Sequence, residues 1–372
     1  MRDLNDIRQD INKVDEELKK AFLKRMEYVE QVREYKEATS TPVKNKSREA
    51  DIINSKLNGV TEFSSETKEF FKTMIEISCK YQDERLSKTK YNQSFNEIDE
   101  DDFFANIKTV CHQGIVGSYS YEVAQRYFAD KEIISVSSFK DVFDNVAHGI
   151  YDIGILPLEN LCQGSVSDVF DLLNKYDVSI THNVDFPVRH CLAGHGRLDD
   201  VTTVISHPQA LGQCSEYIET KGFLKAEAIN TAVAAFEVSN DDDTTMAAIC
   251  SPLAAEKFNL TVFDEDIANI KNNKTKFIFI TKKHIMVKDS DKVSIVFTIP
   301  HESGTLSRVL NDFANNDINM SKIESRPSND GEWKYVFYID LDIPEFDVIE
   351  YFSKKRYMFE DFKILGIHKT ME

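Results

Sequence analysis

Between residues 3 and 86 the sequence holds a single proline, Pro42, and a single glycine, Gly59. Little there interrupts a helix. Leu4, Ile7, Ile11, Val14, Leu18 and Ala21 recur by alternating threes and fours, a spacing that lays an apolar seam along one helix face. Pro42 ends this long helix. A second is expected over 46–57, closed by Gly59, and a third over 65–86 with Phe71, Met74 and Ile75 on one face. Three helices of such unequal length cannot bury the long one by themselves, so the segment is expected to dimerise.

The periodicity then changes twice. Residues 87–106 are polar and acidic and read as a linker. From Ile107 to about His284, short apolar runs (TVCHQGIVG, DIGILPL, TTVISH, MAAIC, KFIFIT) alternate with helical stretches such as YEVAQRYFA and VSDVFDLLNKY. That alternation is expected of an α/β domain with a mostly parallel sheet. Residues 291–368 follow the order βαββαβ, with one helix starting near Gly304, two strands flanking Asn329-Asp330-Gly331, a helix around 345–356 and a last strand FKILGIH. That is the ferredoxin-like arrangement.

Charge and composition exclude several functions. The 372 residues carry a net charge of −18, a field that repels phosphate backbones and argues against nucleic acid. Any anionic ligand must be held by local cations or backbone amides. The six cysteines form no CxxC pair, the nine histidines no HExxH, and GIVGSYS lacks the GxGxxG of a dinucleotide site, so neither a metal nor a cofactor is expected. No apolar run reaches the ~18 residues that a membrane span needs. The N-terminus is too charged for a signal peptide, and a reduced, cytoplasmic setting is expected.

The helical seam is interrupted by polar residues in a pattern. Stepping by sevens from Leu4, Ile11 and Leu18 reaches Arg25, and Lys36 lies eleven residues further on, about three turns along nearly the same face. On the third helix, the face bearing Phe71, Met74 and Ile75 runs on to Ser78 and Gln82; the second helix opens with Arg48 and Glu49. Each could be a snorkelling or exposed side chain. Independent accidents would not all fall on facing stripes, and cations on a buried face call for an anionic partner.

Residues 4–86 resemble the all-helical chorismate mutase, with Arg8, Arg25, Lys36, Arg48, Glu49, Ser78 and Gln82 matching its active-site pattern in order and spacing. Asn45 stands where an Asp is common. The resemblance implies that two chains share intertwined helices and that each site borrows one arginine. Arg8 lies 17 residues from Arg25, about 100° off a common face, and is the candidate for reaching the partner. It further implies that Arg25, Arg48 and the borrowed Arg8 clamp the two carboxylates of chorismate, that Lys36 and Gln82 donate to the ether oxygen, and that Glu49 and Ser78 orient the substrate.

Residues 107–285 resemble prephenate dehydratase through GIVGSYSYEVA, LPLENLCQGSV, ISHPQALGQC and NKTKFIFI, implying two α/β lobes with the site in the cleft between them. Thr275 is the implied catalytic contact. Lys276 and Phe277 complete the motif, a lysine replacing the usual arginine, and ENLCQGS also departs from the usual wording. Ser118, Glu159, Asn160, Ser165, His207 and Gln209 are the further expected prephenate-binding residues. Several stand at strand-to-helix turns, where Ser, Asn and Pro also serve as ordinary caps.

Residues 291–370 resemble an ACT domain, through Gly304, Thr305 and Leu306 at the first helix start and Glu324, Ser325 and Arg326, followed by Pro327, on the second strand. Those stretches are implied to bind phenylalanine; Thr305 replaces a frequent Ala and His301 a frequent Asn. With residues 1–88 as the mutase domain, the chain is expected to be a multidomain, bifunctional enzyme of phenylalanine biosynthesis, inhibited by phenylalanine and assembled as a homodimer or higher homo-oligomer. Two alternatives stay open: a non-catalytic small-molecule sensor, and an enzyme retaining one of the two activities.

Overall fold

The computed structural model describes residues 2–86, 93–328, 334–343 and 346–371. It divides into two compact units. The first holds helices α1 (Leu4–Thr39), α2 (Lys46–Leu57) and α3 (Ser64–Leu86). Asp3 caps α1 by accepting from the Asn5 amide, and Ser40 ends it in a left-handed conformation. Asn45, where an Asp is common, caps α2 by accepting from the Arg48 amide at 3.1 Å, a task Asn and Asp perform about equally. Of the 36 residues of α1 only Val29 is buried, while Leu4, Ile11, Val14 and Leu18 remain 47–58% exposed.

The second unit opens with β1 (Asn96–Ile98) and α4 (Glu100–Asn106). Here the linker expectation is corrected. β1 pairs with a later strand, and Phe103 from α4 enters a core with Val110, Phe128 and Phe279. Two phenylalanines and an isoleucine among acidic residues were enough to dock the segment, a tertiary effect that composition hides.

The first α/β lobe comprises β2 (Thr109–Gln113), α5 (Tyr119–Tyr127), β3 (Glu132–Val136), α6 (Phe139–His148), β4 (Ile153–Asn160), β5 (Gly164–Ser165), α7 (Ser167–Lys175) and β6 (Ser179–Pro187). The chain then crosses to a second lobe of β7 (Cys191–Gly194), β8 (Thr203–Ser206), α8 (Pro208–Gln213), α9 (Ser215–Lys221), β9 (Leu224–Glu227), α10 (Thr231–Ser239), β10 (Met246–Cys250), α11 (Pro252–Lys257) and β11 (Thr261–Asp264). It returns through β12 (Lys274–Thr281), which lies between β4 and β6 and is antiparallel to both, and continues into β13 (Ile285–Val287), the partner of β1. The sheets are therefore mixed, not mostly parallel. The strands β6 and β12, which carry the chain between lobes, run in opposite directions because one leaves and the other returns.

The C-terminal strands follow the expected order: β14 (Lys292–Thr298), α12 (Thr305–Asn315), β15 (Met320–Pro327), β16 (Tyr335–Asp342), α13 (Val348–Lys355) and β17 (Phe362–Met371). The spatial order β15-β16-β14-β17, antiparallel throughout, is the ferredoxin-like one. The Asn329-Asp330-Gly331 turn lies outside the described residues. Helix α13 clusters with the first unit, where the Lys355 Nζ pairs with Glu84 at 2.5 Å. β17 also joins β6 in parallel, making one sheet with the first lobe. Gly366 permits this approach: a Cβ there would lie 2.2 Å from the Ile180 carbonyl oxygen.

Candidate functional site

In the helical unit, packing of α1 against α3 brings together three of the expected residues. Arg25 donates from Nη1 to the Ser78 hydroxyl and, at 3.4 Å, to the Met74 carbonyl. Ser78 and Gln82 are both buried, and Gln82 Nε2 donates to the Ser78 carbonyl at 3.0 Å. Gln82 Oε1 is buried with no partner among the described residues, a state that costs ~1–3 kcal/mol until something donates to it. Burial lowers the Arg25 pKa without threatening its charge.

Cys79, next to Ser78 on α3, feels the charges of several of these residues. Burial raises its thiol pKa, the charges of Glu49 and Asp83 add to the rise, and those of Lys36 and Lys44 oppose it. Lys36 Nζ donates to the Val43 carbonyl at 2.6 Å, and Glu49 accepts from the Asn45 amide at 3.2 Å. Arg48 is exposed. So is Arg8, which a rise of ~1.5 Å per residue puts roughly 25 Å along α1 from Arg25. One chain thus gathers the Arg25, Lys36, Glu49, Ser78 and Gln82 region without Arg8.

In the two-lobed region, Thr275 lies at the start of β12, where the chain re-enters the first lobe, in register with Asn160 on β4 and Phe186 on β6. Thr275 is buried and its Oγ1 is 2.9 Å from Asn160 Nδ2. The orientation of this amide follows from its neighbours. Asn160 Oδ1 accepts from the Cys162 backbone N–H at 3.0 Å, and Nδ2 faces the Lys274 carbonyl at 3.2 Å and Asn273 Oδ1 at 2.9 Å. A backbone donor on one side and a backbone acceptor on the other admit one rotamer. Thr275 therefore accepts from Asn160 and keeps its own proton to donate.

The neighbouring residues face elsewhere. The pairing of β12 with β4 shifts between Lys276 and Phe277, leaving Leu158 without a partner of its own. Beyond this bulge, Glu159 and Asn160 alternate across the strand and face opposite ways. Lys276, in register with Glu159 and Asp185, belongs to the sheet face opposite Thr275, and the Phe277 ring is buried against Phe186. Glu159 accepts from Lys322 at 2.7 Å, and Ser165 donates to Glu324, both partners on β15. Ser118 caps α5 and His207 caps α8, the latter accepting at Nδ1 from the Gln209 amide. The Gln209 side chain is exposed.

Residues outside the expected site also tie the lobes together. Tyr119 on α5 donates to the Arg189 carbonyl at 2.5 Å, in the crossing segment. His190 next to it meets Gln213 of the second lobe at 2.7 Å. Gly117, at φ +86, packs so closely that a Cβ would lie 3.0 Å from the Ala254 Cα on α11. Gly117 and Tyr119 lie within the quoted GIVGSYSYEVA stretch and Asn273, which is buried, within NKTKFIFI; what they meet is joined only by tertiary structure.

At the C-terminal strands, Gly304 caps α12 at φ 82 and Thr305 is buried, donating to the Glu302 carbonyl at 2.9 Å. Leu306 is half-buried and Ser325 exposed. Arg326 pairs with Asp171 at 3.3 Å and stands 3.9 Å from Glu324. Among the described residues no helix is long and apolar enough to cross a membrane.

Comparison with known proteins follows the same divisions. The chorismate mutase type II family model matches residues 7–83 and the prephenate dehydratase model residues 110–285. The chain is 39% identical to the prephenate dehydratase of Methanocaldococcus jannaschii over 235 residues, covering 61% of this chain and 85% of that one. It is 28% identical to the bifunctional chorismate mutase/prephenate dehydratase of Escherichia coli K12 over 347 residues, 90% of this chain and 87% of that one. The solved structure of the Arthrobacter aurescens prephenate dehydratase in complex with L-Phe, 25% identical, matches with a TM-score of 0.64 over 70% of this chain and 89% of that one.

Proposed function

This chain belongs to the family of bifunctional chorismate mutase/prephenate dehydratases, and from that premise we propose which residues carry each reaction. The enzyme rearranges chorismate to prephenate, then dehydrates and decarboxylates prephenate to phenylpyruvate, in phenylalanine biosynthesis.

The rearrangement is pericyclic and needs no acid, base or nucleophile. Its catalyst holds a chair-like dianion and stabilises charge growing on the ether oxygen. Arg25, Arg48 and Arg8 of the partner subunit clamp the carboxylates with planar forks. Lys36 and Gln82 donate to the ether oxygen, Gln82 by turning the amide that here points Nε2 at the Ser78 carbonyl. Glu49 and Ser78 orient the ring. The exposed seam of α1 supports a homodimer that supplies Arg8.

In the second reaction, electrons of the breaking C–CO2 bond enter the ring as the C–OH bond breaks, and a proton on the leaving oxygen makes water. Thr275 donates the hydrogen bond that eases this departure. Asn160 holds its hydroxyl, and Ser118, Glu159, Ser165, His207, Gln209, Lys276 and Phe277 form or support the surrounding cleft. The ferredoxin-like strands act as an ACT domain, with Gly304, Thr305, Leu306, Glu324, Ser325 and Arg326 binding phenylalanine as a feedback inhibitor. The working compartment is the cytoplasm.

The observation that carries this reading is the buried convergence of Arg25, Ser78 and Gln82 between α1 and α3. Its test supplies chorismate to the full chain and follows prephenate and phenylpyruvate, with and without phenylalanine. Lys36→Ala should stop prephenate formation yet still convert added prephenate, and Thr275→Ala should accumulate prephenate. An unchanged Lys36→Ala mutase rate refutes the mutase assignment. Phenylpyruvate formation that ignores saturating phenylalanine refutes the effector assignment.

A further inference from the structure

Lys322 lies outside the dehydratase match, on β15, yet its charge is spent on the first lobe. The side chain is 14% exposed. Its Nζ donates to Glu159 Oε2 at 2.7 Å, stands 3.4 Å from Ser165 Oγ and 3.6 Å from Glu324 Oε2, and lies 4.7 Å from the centre of the Phe170 ring. Ser165 donates to Glu324 in turn. One ammonium thus sits between two carboxylates, one on each side of the contact between β15 and the β4–β5 hairpin.

The position of Glu159 gives this contact its consequence. It directly precedes Asn160, whose amide holds the Thr275 hydroxyl; as neighbours on one strand the two side chains lie on opposite faces, and the bulge at Leu158 comes just before them. A bulge is where a strand end is least restrained by its ladder. Without the cation, Glu159 and Glu324 face each other as like charges, and the end of β4 is pushed away, carrying Asn160 off Thr275.

We infer that Lys322 is a positioning residue of the dehydratase reaction, holding Glu159 so that the bulged end of β4 keeps Asn160 aligned on Thr275. The inference rests on the reading of Thr275 as the proton-donating contact. It places one determinant of dehydratase turnover on the very strand proposed to sense phenylalanine.

The test measures the full-length enzyme on prephenate and, separately, on chorismate. Lys322→Met should lower dehydratase kcat about tenfold with KM within about twofold, since misplacement by a fraction of an ångström acts on the transition state more than on binding. Mutase turnover should not change. Lys322→Arg should restore most of the loss. That rescue by a second cation, with the loss confined to kcat, is a pattern that a generally weakened fold would not produce. A wild-type kcat for Lys322→Met, a loss confined to KM, or a Lys322→Arg variant no better than Lys322→Met overturns the inference. Thr275→Ala is run in parallel. Full turnover there overturns the Thr275 reading and this inference together, whereas an inactive Thr275→Ala beside an unimpaired Lys322→Met overturns this inference alone.

Discussion

Asn160 has two amide hydrogens and three acceptors within 3.2 Å: Asn273 Oδ1, the Lys274 carbonyl and Thr275 Oγ1. An isosteric Asn160→Asp change would put a carboxylate there instead. The Thr275 proton would turn toward it and no longer point at the substrate. Dehydratase kcat should fall about 10²-fold, as when a preorganised donor is removed, while the mutase rate is kept; steady-state phenylpyruvate formation from added prephenate checks it. Sequence reasoning could reach Arg25, Ser78 and Gln82 because a charged or polar residue on an apolar stripe breaks a periodic rule. It could reach Asn160 and Thr275 through motif wording. The bulge at Leu158 was not readable, because it depends on packing between β4 and β12. Asn273 and Lys322 were missed for a related reason: their partners lie far away in sequence.

At the scale of elements, helices were the most readable because caps and seam are local. α2 spans the expected residues, and α3 begins one residue earlier than expected. The mixed sheets were not readable, since strand direction depends on which lobe the chain is leaving. The exposed seam of α1 bears directly on assembly. Ile11 is 53% exposed in one chain, and burying a side chain of that size contributes about 1.5–3 kcal/mol. If the chain assembles as the proposed dimer, Ile11→Asp should convert it to monomer in sedimentation and, by removing the Arg8 proposed to be borrowed, abolish the mutase reaction. A monomeric variant with full mutase turnover would show that Arg8 is not shared. Gly366 tests the joint between the C-terminal strands and the first lobe. A Gly366→Ala methyl meets the Ile180 backbone, which a rotamer change cannot relieve. Destabilisation of at least about 1–3 kcal/mol should appear as a lowered denaturant midpoint with hydrogen exchange accelerated in β6 and β17.

At the scale of the whole molecule, the two units should respond differently to acid. Residues 1–92 contain no histidine, whereas the second unit buries several. His182 lies among Phe103, Phe104 and Phe279, 3.8 Å from Glu100, and burial, with His368 and Lys369 nearby, lowers its pKa to about 3. His368 sits between Asn183 and Ser294, at 2.9 and 2.8 Å, and burial lowers its pKa to about 4. Asp340 and Asp291 resist that shift, while Lys276 and Lys292 add to it. Both histidines are neutral in the folded chain and protonate more readily when unfolded, where the pKa is about 6.5. Between that value and the folded one, the unfolded state binds more protons, so stability falls as pH falls. The contribution is complete above about pH 6.5 and is lost on the way down to about pH 3–4. Each histidine adds a slope of up to about 1.4 kcal/mol per pH unit. His368→Gln, which keeps a polar side chain between Asn183 and Ser294, should remove one such contribution. Urea midpoints taken at steps between pH 6.5 and 4 should then fall less steeply than in the wild type. Equal slopes for the two proteins would mean that His368 titrates alike folded and unfolded.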